Sequence, residues 1–452
     1  MTKYPVEVGV VYEGERIRKN DMQVEFGGSA EYKAELCEVK KAGEIQDGKV
    51  NVIGMDIDKL PEGSTNNFFI YLKIAGSDLE EDLEGVVERR IHDIFNYIQG
   101  VMHLNQREYV WVRIGKESFK AGLRLSHMGA ILSEYIKKEF PIIKKAEVDL
   151  ITDTEQVKKL VDYAVKKYGE RNAKVAGMKD EEVDTFYSCN LCKSFASKHL
   201  CVISPNRPAL CGAINWFDAR AASKIDPEGA NQPIAKGKVL DADKGEFEGV
   251  NKFLDENTGG ATKRIDMYSM FDYPHTSCGC FEAVAFYIPE LDAVGIVHRG
   301  FKGEGVNGLS FSEMASQTGG GEQVVGFLGF GLEWMRSPRF LSADGGFQRV
   351  VYLPKELKEK YSNSIPQDVR DKIADETQVK NVKELQEFLE KVDHPWVKKK
   401  KPEATEEKKE PEAVQGAPLV LEGAMPGVGG VSITFKNVRI VADKMIIEKK
   451  EK

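Results

Sequence analysis

Cys189-Asn-Leu-Cys192-Lys-Ser-Phe195, His199-Leu-Cys201 and Pro208-Ala-Leu-Cys211-Gly-Ala-Ile-Asn-Trp216 follow one another closely, and Pro274-His-Thr-Ser-Cys278-Gly279-Cys280 comes further on. Together they hold six of the seven cysteines; Cys37 lies far upstream. The first four are spaced C-x2-C-x8-C-x9-C and the last two form a C-G-C triplet. In a chain without secretory features, six soft ligands gathered this way point to a metal centre rather than a disulfide scaffold.

Spacing alone fits the first four cysteines to zinc and to an iron–sulfur cluster equally. Zinc ribbons usually present two C-x2-C knuckles, and only Cys189–Cys192 has that spacing here. Pro205, Pro208 and the small residues around Cys211 suit a loop wrapped on a cluster. The triplet is more specific. Two cysteines one residue apart can point at a single metal, with the backbone nitrogens of Gly279 and Cys280 between the sulfurs. Deprotonated amides and two thiolates make a square-planar N2S2 set, which suits nickel(II) or copper(II) and not zinc. Gly279, without a Cβ, tolerates the turn and the close approach. The plain alternative is a pair of buried cysteines in a strand. Two cysteine groups in one chain favour one shared polynuclear site.

At 452 residues the chain has room for about three domains. Its apolar share of 41% supports ordinary cores, and its net charge of −8 gives no general attraction to nucleic acid. The N-terminus has no apolar signal region. The most apolar run, Phe281 to Val297, is broken by Glu282, Pro289, Glu290 and Asp292. These features lead to the expectation of a soluble cytoplasmic protein with no membrane and no nucleic-acid partner, whose thiols stay reduced and free for metal.

The fold class expected is multidomain α/β. Strand candidates are Val6–Tyr12, Val50–Ile57, Phe68–Ile74, Glu108–Ile114 and Ala146–Thr152. Ser77 with Glu80 reads as a capping box opening a helix through Leu83, Val87, Ile91, Ile94, Phe95 and Ile98. Further helices are expected at about Phe119–Phe140 and Thr154–Tyr168. Strands alternating with helices give an N-terminal α/β domain over 1–170. An α+β metal-cluster domain is expected over 171–395. In it, Asp226–Gly260 reads as loop-rich, and Phe281–Ile288 with Ala293–His298 as a hairpin bent at Pro289-Glu290. Thr318–Glu322 reads as a turn before an apolar run, since it lacks the Lys-Ser/Thr of a phosphate loop. Short helices are expected at Lys355–Tyr361, Pro366–Ile373 and Val382–Val392. Residues 396–452 read as a flexible charged linker and tail: Lys398 to Val414 is nearly all Lys, Glu, Pro, Ala and Thr, and strand-like alternation returns at Val431–Glu448.

The cysteine segments closely resemble the acetyl-CoA synthase family, in particular the beta subunits of archaeal acetyl-CoA decarbonylase/synthase complexes, over about residues 1–395. The bacterial members carry a further N-terminal domain, for which this chain is too short, and the charged tail also suits the archaeal type. The resemblance implies a [4Fe-4S] cluster held by Cys189, Cys192, Cys201 and Cys211. It also implies two nickel ions: Cys192 bridges the cluster to the proximal nickel, Cys278 and Cys280 bridge the two nickels, and the amides of Gly279 and Cys280 complete the distal one. The catalytic group is then Cys192, Cys278 and Cys280, with Phe195 shielding the open face of the proximal metal. The implied reaction joins a corrinoid-borne methyl group, carbon monoxide and coenzyme A to acetyl-CoA, reversibly. The implied partners are carbon monoxide dehydrogenase subunits and corrinoid iron–sulfur subunits.

Coenzyme A brings an adenine and phosphates. Trp111 can stack on the base, and Arg107, Arg113 and Arg124, with Lys116 and Lys120, suit the phosphates. A solvated basic face with a core tryptophan is the plainer reading of the same residues. His103 and His199 read as structural. Two other functions compete: a [4Fe-4S] electron-transfer subunit without nickel, and a zinc-stabilised scaffold subunit.

Overall fold

A computed structural model describes residues 3–9, 17–107, 109–192 and 196–398. Phe195, the linker from 399 onward and the tail Val431–Glu448 lie outside the described residues.

The architecture is mixed α/β with several sheets. In the first part of the chain the strands are β1 (Met22–Gly27), β2 (Lys33–Val39), β3 (Val50–Ile53), β4 (Ser64–Asn66) and β5 (Phe68–Gly76). Helix α1 (Glu84–Asn96), β6 (Val101–Gln106), β7 (Tyr109–Gly115), α2 (Lys116–Lys120), α3 (Leu125–Glu139), β8 (Ile143–Ile151) and α4 (Thr154–Val175) follow. They form two four-stranded sheets, ordered β4-β1-β7-β6 and β2-β5-β8-β3. Within the second, β5 pairs parallel with β2 and antiparallel with β8, as a mixed sheet does.

The second part opens with β9 (Thr185–Cys189), β10 (Cys201–Ile203) and α5 (Trp216–Ile225). Next come β11 (Pro233–Ala235), β12 (Val239–Asp241), β13 (Glu246–Phe247) and α6 (Glu248–Asn257). A hairpin of β14 (Ala283–Ile288) and β15 (Ala293–His298) is extended by β16 (Phe327–Phe330) and β17 (Val350–Tyr352) in the order β16-β14-β15-β17. Helix α7 (Phe311–Thr318) precedes β16; α8 (Lys355–Lys360), α9 (Gln367–Arg370) and α10 (Val382–Lys391) follow the sheet.

Several expectations need correction. The strand over Val6–Tyr12 is, in its described part, one bridge between Val8 and Ile98. Val50–Ile57 is a strand only to Ile53. Ser77 does not open α1: Asp78 turns left-handed at φ 58, and the helix begins at Glu84 after a 3-10 turn. The helix expected over Phe119–Phe140 is two, parted at Gly122, whose φ of 101 no helix accommodates. Helix α4 runs on to Val175. The loop-rich passage Asp226–Gly260 contains three short strands and α6, which buries Val250 and Leu254.

Helix α1 matters most for the site. Its burial is nearly complete and includes Glu84, Glu88, Arg89 and Asp93. Buried charges persist only when paired. Arg171 of α4 supplies one pairing, donating to Glu88 at 2.9 Å, Glu84 at 3.0 Å and the Cys37 carbonyl at 2.7 Å. Arg107 donates to Asn172 at 2.7 Å and to the Ala213 carbonyl at 3.1 Å. These bonds fix α1 against α4 and hold both to the segment that follows Cys211.

Candidate metal centre

Cys189 ends β9, and Cys201 begins β10 directly opposite it in an antiparallel pair. Directly opposed residues share a face of the ladder, with Cβ atoms about 5 Å apart. Cys192 lies in the turn after β9. Cys211 sits in a tight turn in which the Gly212 N–H donates to the Ala209 carbonyl at 2.9 Å, just before α5. Asn215 and Asp218 form the reciprocal cap of α5, and the Trp216 indole donates to the Thr185 carbonyl at 2.9 Å, tying that helix to β9.

The triplet precedes β14. Gly279 has φ +92, outside the range L residues prefer, and a side chain there would meet nothing within 4 Å. Glycine is therefore required by the backbone and not by crowding. The Glu282 N–H donates to the Leu210 carbonyl at 3.3 Å, so the Cys211 turn and the triplet are joined through the main chain. The Gly321 N–H donates to the Ser277 carbonyl at 2.9 Å, which lays the Thr318–Glu322 turn against the triplet.

The outcome is that the side-chain sulfurs of Cys192, Cys278 and Cys280 lie within 4.8 Å of one another. The other three cysteines of the group are buried nearby: burial first, then the charge of Cys192, pushes the Cys189 thiol up to about 12. Burial and then Cys189 also push the Cys201 thiol well above its ordinary value. Thiols this reluctant to ionise need a cation to make them thiolates.

One arginine meets a sulfur and a second meets the triplet's main chain. Arg89, 1% exposed, brings one guanidinium nitrogen to 3.7 Å from the Cys192 sulfur and another to 3.6 Å from Asp93. Burial works against its charge, but Asp93 and the sulfurs of Cys192, Cys211 and Cys280 more than offset it. Arg299 donates to the Gly279 carbonyl at 2.7 Å and to the Phe281 carbonyl at 3.2 Å. His199 lies 2.9 Å from the Thr276 hydroxyl and 3.2 Å from the Cys201 sulfur. Burial lowers its pKa to about 4, so it is neutral and one ring nitrogen faces the sulfur while the other faces the hydroxyl. His275 accepts from the Val202 N–H at 3.0 Å, linking β10 to the triplet segment. A convergent soft-donor set, a triplet turn whose Cys280 N–H points at the Cys278 sulfur, and nearby cations suit a negatively charged thiolate-ligated metal group.

The residues expected to meet coenzyme A are not gathered in one place. Trp111 and Arg113 share a face of β7, with the guanidinium 4.9 Å from the indole centroid and bonded to Glu25 at 2.6 Å. Arg124 caps α3 and bonds to the Phe119 and Leu123 carbonyls. Arg107 is buried and is the one of the four that lines an 840 Å³ cavity beside α4. His103 is buried and bonds Glu35 through Nε2 in the interior.

Arg89, Arg299, His275 and Glu282 escaped the sequence reading. His199 stands two residues before Cys201, which could have flagged it as a partner of that sulfur. The arginines carried no local signal.

The fold and the site define a protein with a cysteine-rich candidate metal centre built across two distant segments. The chain belongs to the beta-subunit family of the CO dehydrogenase/acetyl-CoA synthase complex: the family model of that beta subunit matches residues 4–157, and the model of the C-terminal part of the ACS/CODH beta subunit matches residues 168–401. It is 49% identical to the acetyl-CoA decarbonylase/synthase complex subunit beta of Methanothermobacter thermautotrophicus, over 99% of each chain. It is 51% identical to the subunit of that name from Archaeoglobus fulgidus, over 88% of this chain and 76% of that one. Subunit beta 2 of Methanosarcina thermophila is 46% identical over the full length of both. A solved C-terminal domain of an acetyl-coenzyme A synthase alpha subunit is 37% identical over 27% of this chain and 96% of its own, with a TM-score of 0.25. Among the described residues no helix is long and apolar enough to cross a membrane.

Proposed function

We propose that this chain makes and cleaves acetyl-CoA, joining a methyl group from a corrinoid protein, carbon monoxide and coenzyme A. The observation that carries the reading is the meeting of Cys192 with Cys278 and Cys280 within 4.8 Å, in a chain of this family. Among the described residues three sulfurs converge, one short of the closed tetrahedral set of a structural zinc. Such a set leaves a metal an open position for substrate.

In this reading Cys189, Cys192, Cys201 and Cys211 hold a [4Fe-4S] cluster, and Cys278, Gly279 and Cys280, with Cys192, hold two nickels. When bound, that group supplies a low-valent metal able to take a methyl group and carbon monoxide on one centre. The chain's own residues do the rest. Arg89 and Arg299 balance the negative charge of the thiolates, and His199 fixes the Cys201 sulfur. The Thr318–Glu322 turn covers the triplet, and Phe195 shields the open face. Trp111 and Arg113, side by side on β7, contact coenzyme A. The partners are carbon monoxide dehydrogenase and corrinoid iron–sulfur subunits, in the cytoplasm. The test is exchange of labelled carbon monoxide into the carbonyl of acetyl-CoA by the isolated, nickel-loaded chain. Exchange above the metal-free background supports the reading; none, with nickel and iron both bound, overturns it.

A further inference from the structure

The Gly279 carbonyl that Arg299 holds belongs to the same peptide unit as the Cys280 nitrogen. When an amide nitrogen binds a metal it gives up its proton to solvent, and the negative charge spreads over N, C and O. A cation bonded to that oxygen then stabilises the ligand form. The geometry points to Arg299 as the residue that makes the Cys280 amide a durable nickel ligand; this rests on the nickel reading above.

Three observations bear on it. The bond from Arg299 Nη2 to the Gly279 oxygen, at 2.7 Å, is the shortest that Arg299 makes to the main chain. The same guanidinium reaches the Phe281 carbonyl from both Nη2 and Nε, at 3.2 and 3.3 Å, so it cannot swing away without losing a fork. Its backbone is also fixed, as the Arg299 N–H donates to the Glu282 carbonyl at 2.8 Å, one residue beyond β15. On the other side of the peptide, the Cys280 N–H points at the Cys278 sulfur, 3.2 Å away. The nitrogen thus faces the sulfurs and the oxygen faces the cation. No charged side chain other than Arg299 bonds the oxygen of this peptide among the described residues. Binding of one nickel(II) by two thiolates and the Gly279 and Cys280 nitrogens releases two amide protons. Arg299 stays protonated throughout and exchanges nothing. It is a positioning residue, acting through the peptide and not on substrate.

The experiment uses the full chain, loaded with iron and nickel, as wild type, Arg299→Gln and Arg299→Lys. Nickel and iron per chain, the rate of nickel release to a chelator, and the visible absorption of square-planar nickel are followed. The expected result is release of the slower nickel about ten- to a hundredfold faster in R299Q, as loss of a charge-assisted hydrogen bond implies. R299K, with charge but no fork, should fall between R299Q and wild type. Iron content should not change, whereas a merely structural role would lower iron and nickel together. Wild-type release in R299K overturns the inference, as does wild-type release in R299Q; R299K alone decides it if R299Q fails to fold. If the wild type itself takes up no nickel, the nickel reading falls instead.

Discussion

Replacing Arg89 by methionine removes the buried cation of the site while keeping the volume of the side chain. Asp93 keeps a partner, since Arg90 bonds it at 2.6 Å, so the fold should survive. The guanidinium lies 3.7 Å from the Cys192 sulfur, the ligand read as shared between cluster and nickel. Two unit charges at that distance interact by roughly 4 kcal/mol at an effective dielectric of about 20. As a one-electron potential, at about 1.4 kcal/mol per 59 mV, that bounds the effect at roughly 170 mV. An electron added to a cluster spreads away from any one sulfur, so we expect Arg89→Met to lower the reduction potential by about 50–100 mV. The sign follows from the charge: without the cation, the reduced form loses more stabilisation. The assay is a redox titration followed by electron paramagnetic resonance on wild type and R89M loaded alike. A potential within about 10 mV of wild type, or a higher one, would refute the reasoning.

Other outcomes follow from the same geometry. Gly279→Ala should cost about 1–2 kcal/mol of stability, read by thermal unfolding, because φ +92 penalises any L side chain although space is open. Arg171→Met should destabilise by about 3–5 kcal/mol in denaturant unfolding, as it leaves Glu84 and Glu88 buried without their cation. Burial pushes the Asp218 carboxyl up to about 6. The native state therefore holds that proton more tightly than the unfolded state does, and the contribution present below pH 4 is lost as pH rises through 6. Asp218→Asn should remove this dependence, gaining roughly 3 kcal/mol on wild type between pH 4 and 6. Trp111→Ala should raise the KM for coenzyme A about tenfold with kcat kept, if the indole stacks on the adenine.

Much of the site was legible because metal chemistry writes itself in cysteine spacing. The C-G-C triplet implied a turn whose middle residue has no side chain, and Gly279 does sit at positive φ. The hairpin of β14 and β15 and the strands β5, β7 and β8 were legible too, since apolar alternation and punctuation by Pro289-Glu290 are local signals; β6, directly after α1, was not. What was missed is non-local. Ser77 and Glu80 have the form of a capping box, but the left-handed Asp78 overrides it. Helix α6 hides in a polar passage because only Val250 and Leu254 need burying on its inner side. Arg89 and Arg299 act on sulfurs and a carbonyl far off in sequence, and nothing around either residue announces that.

The central claim is that the two cysteine segments share one nickel-bearing site. Metal analysis of the purified chain, iron, nickel and zinc together, tests it most directly. The account predicts about four irons and two nickels per chain, with nickel lost when Cys278 and Cys280 are replaced by serine. Zinc in place of both metals, or four irons with no nickel, would contradict it.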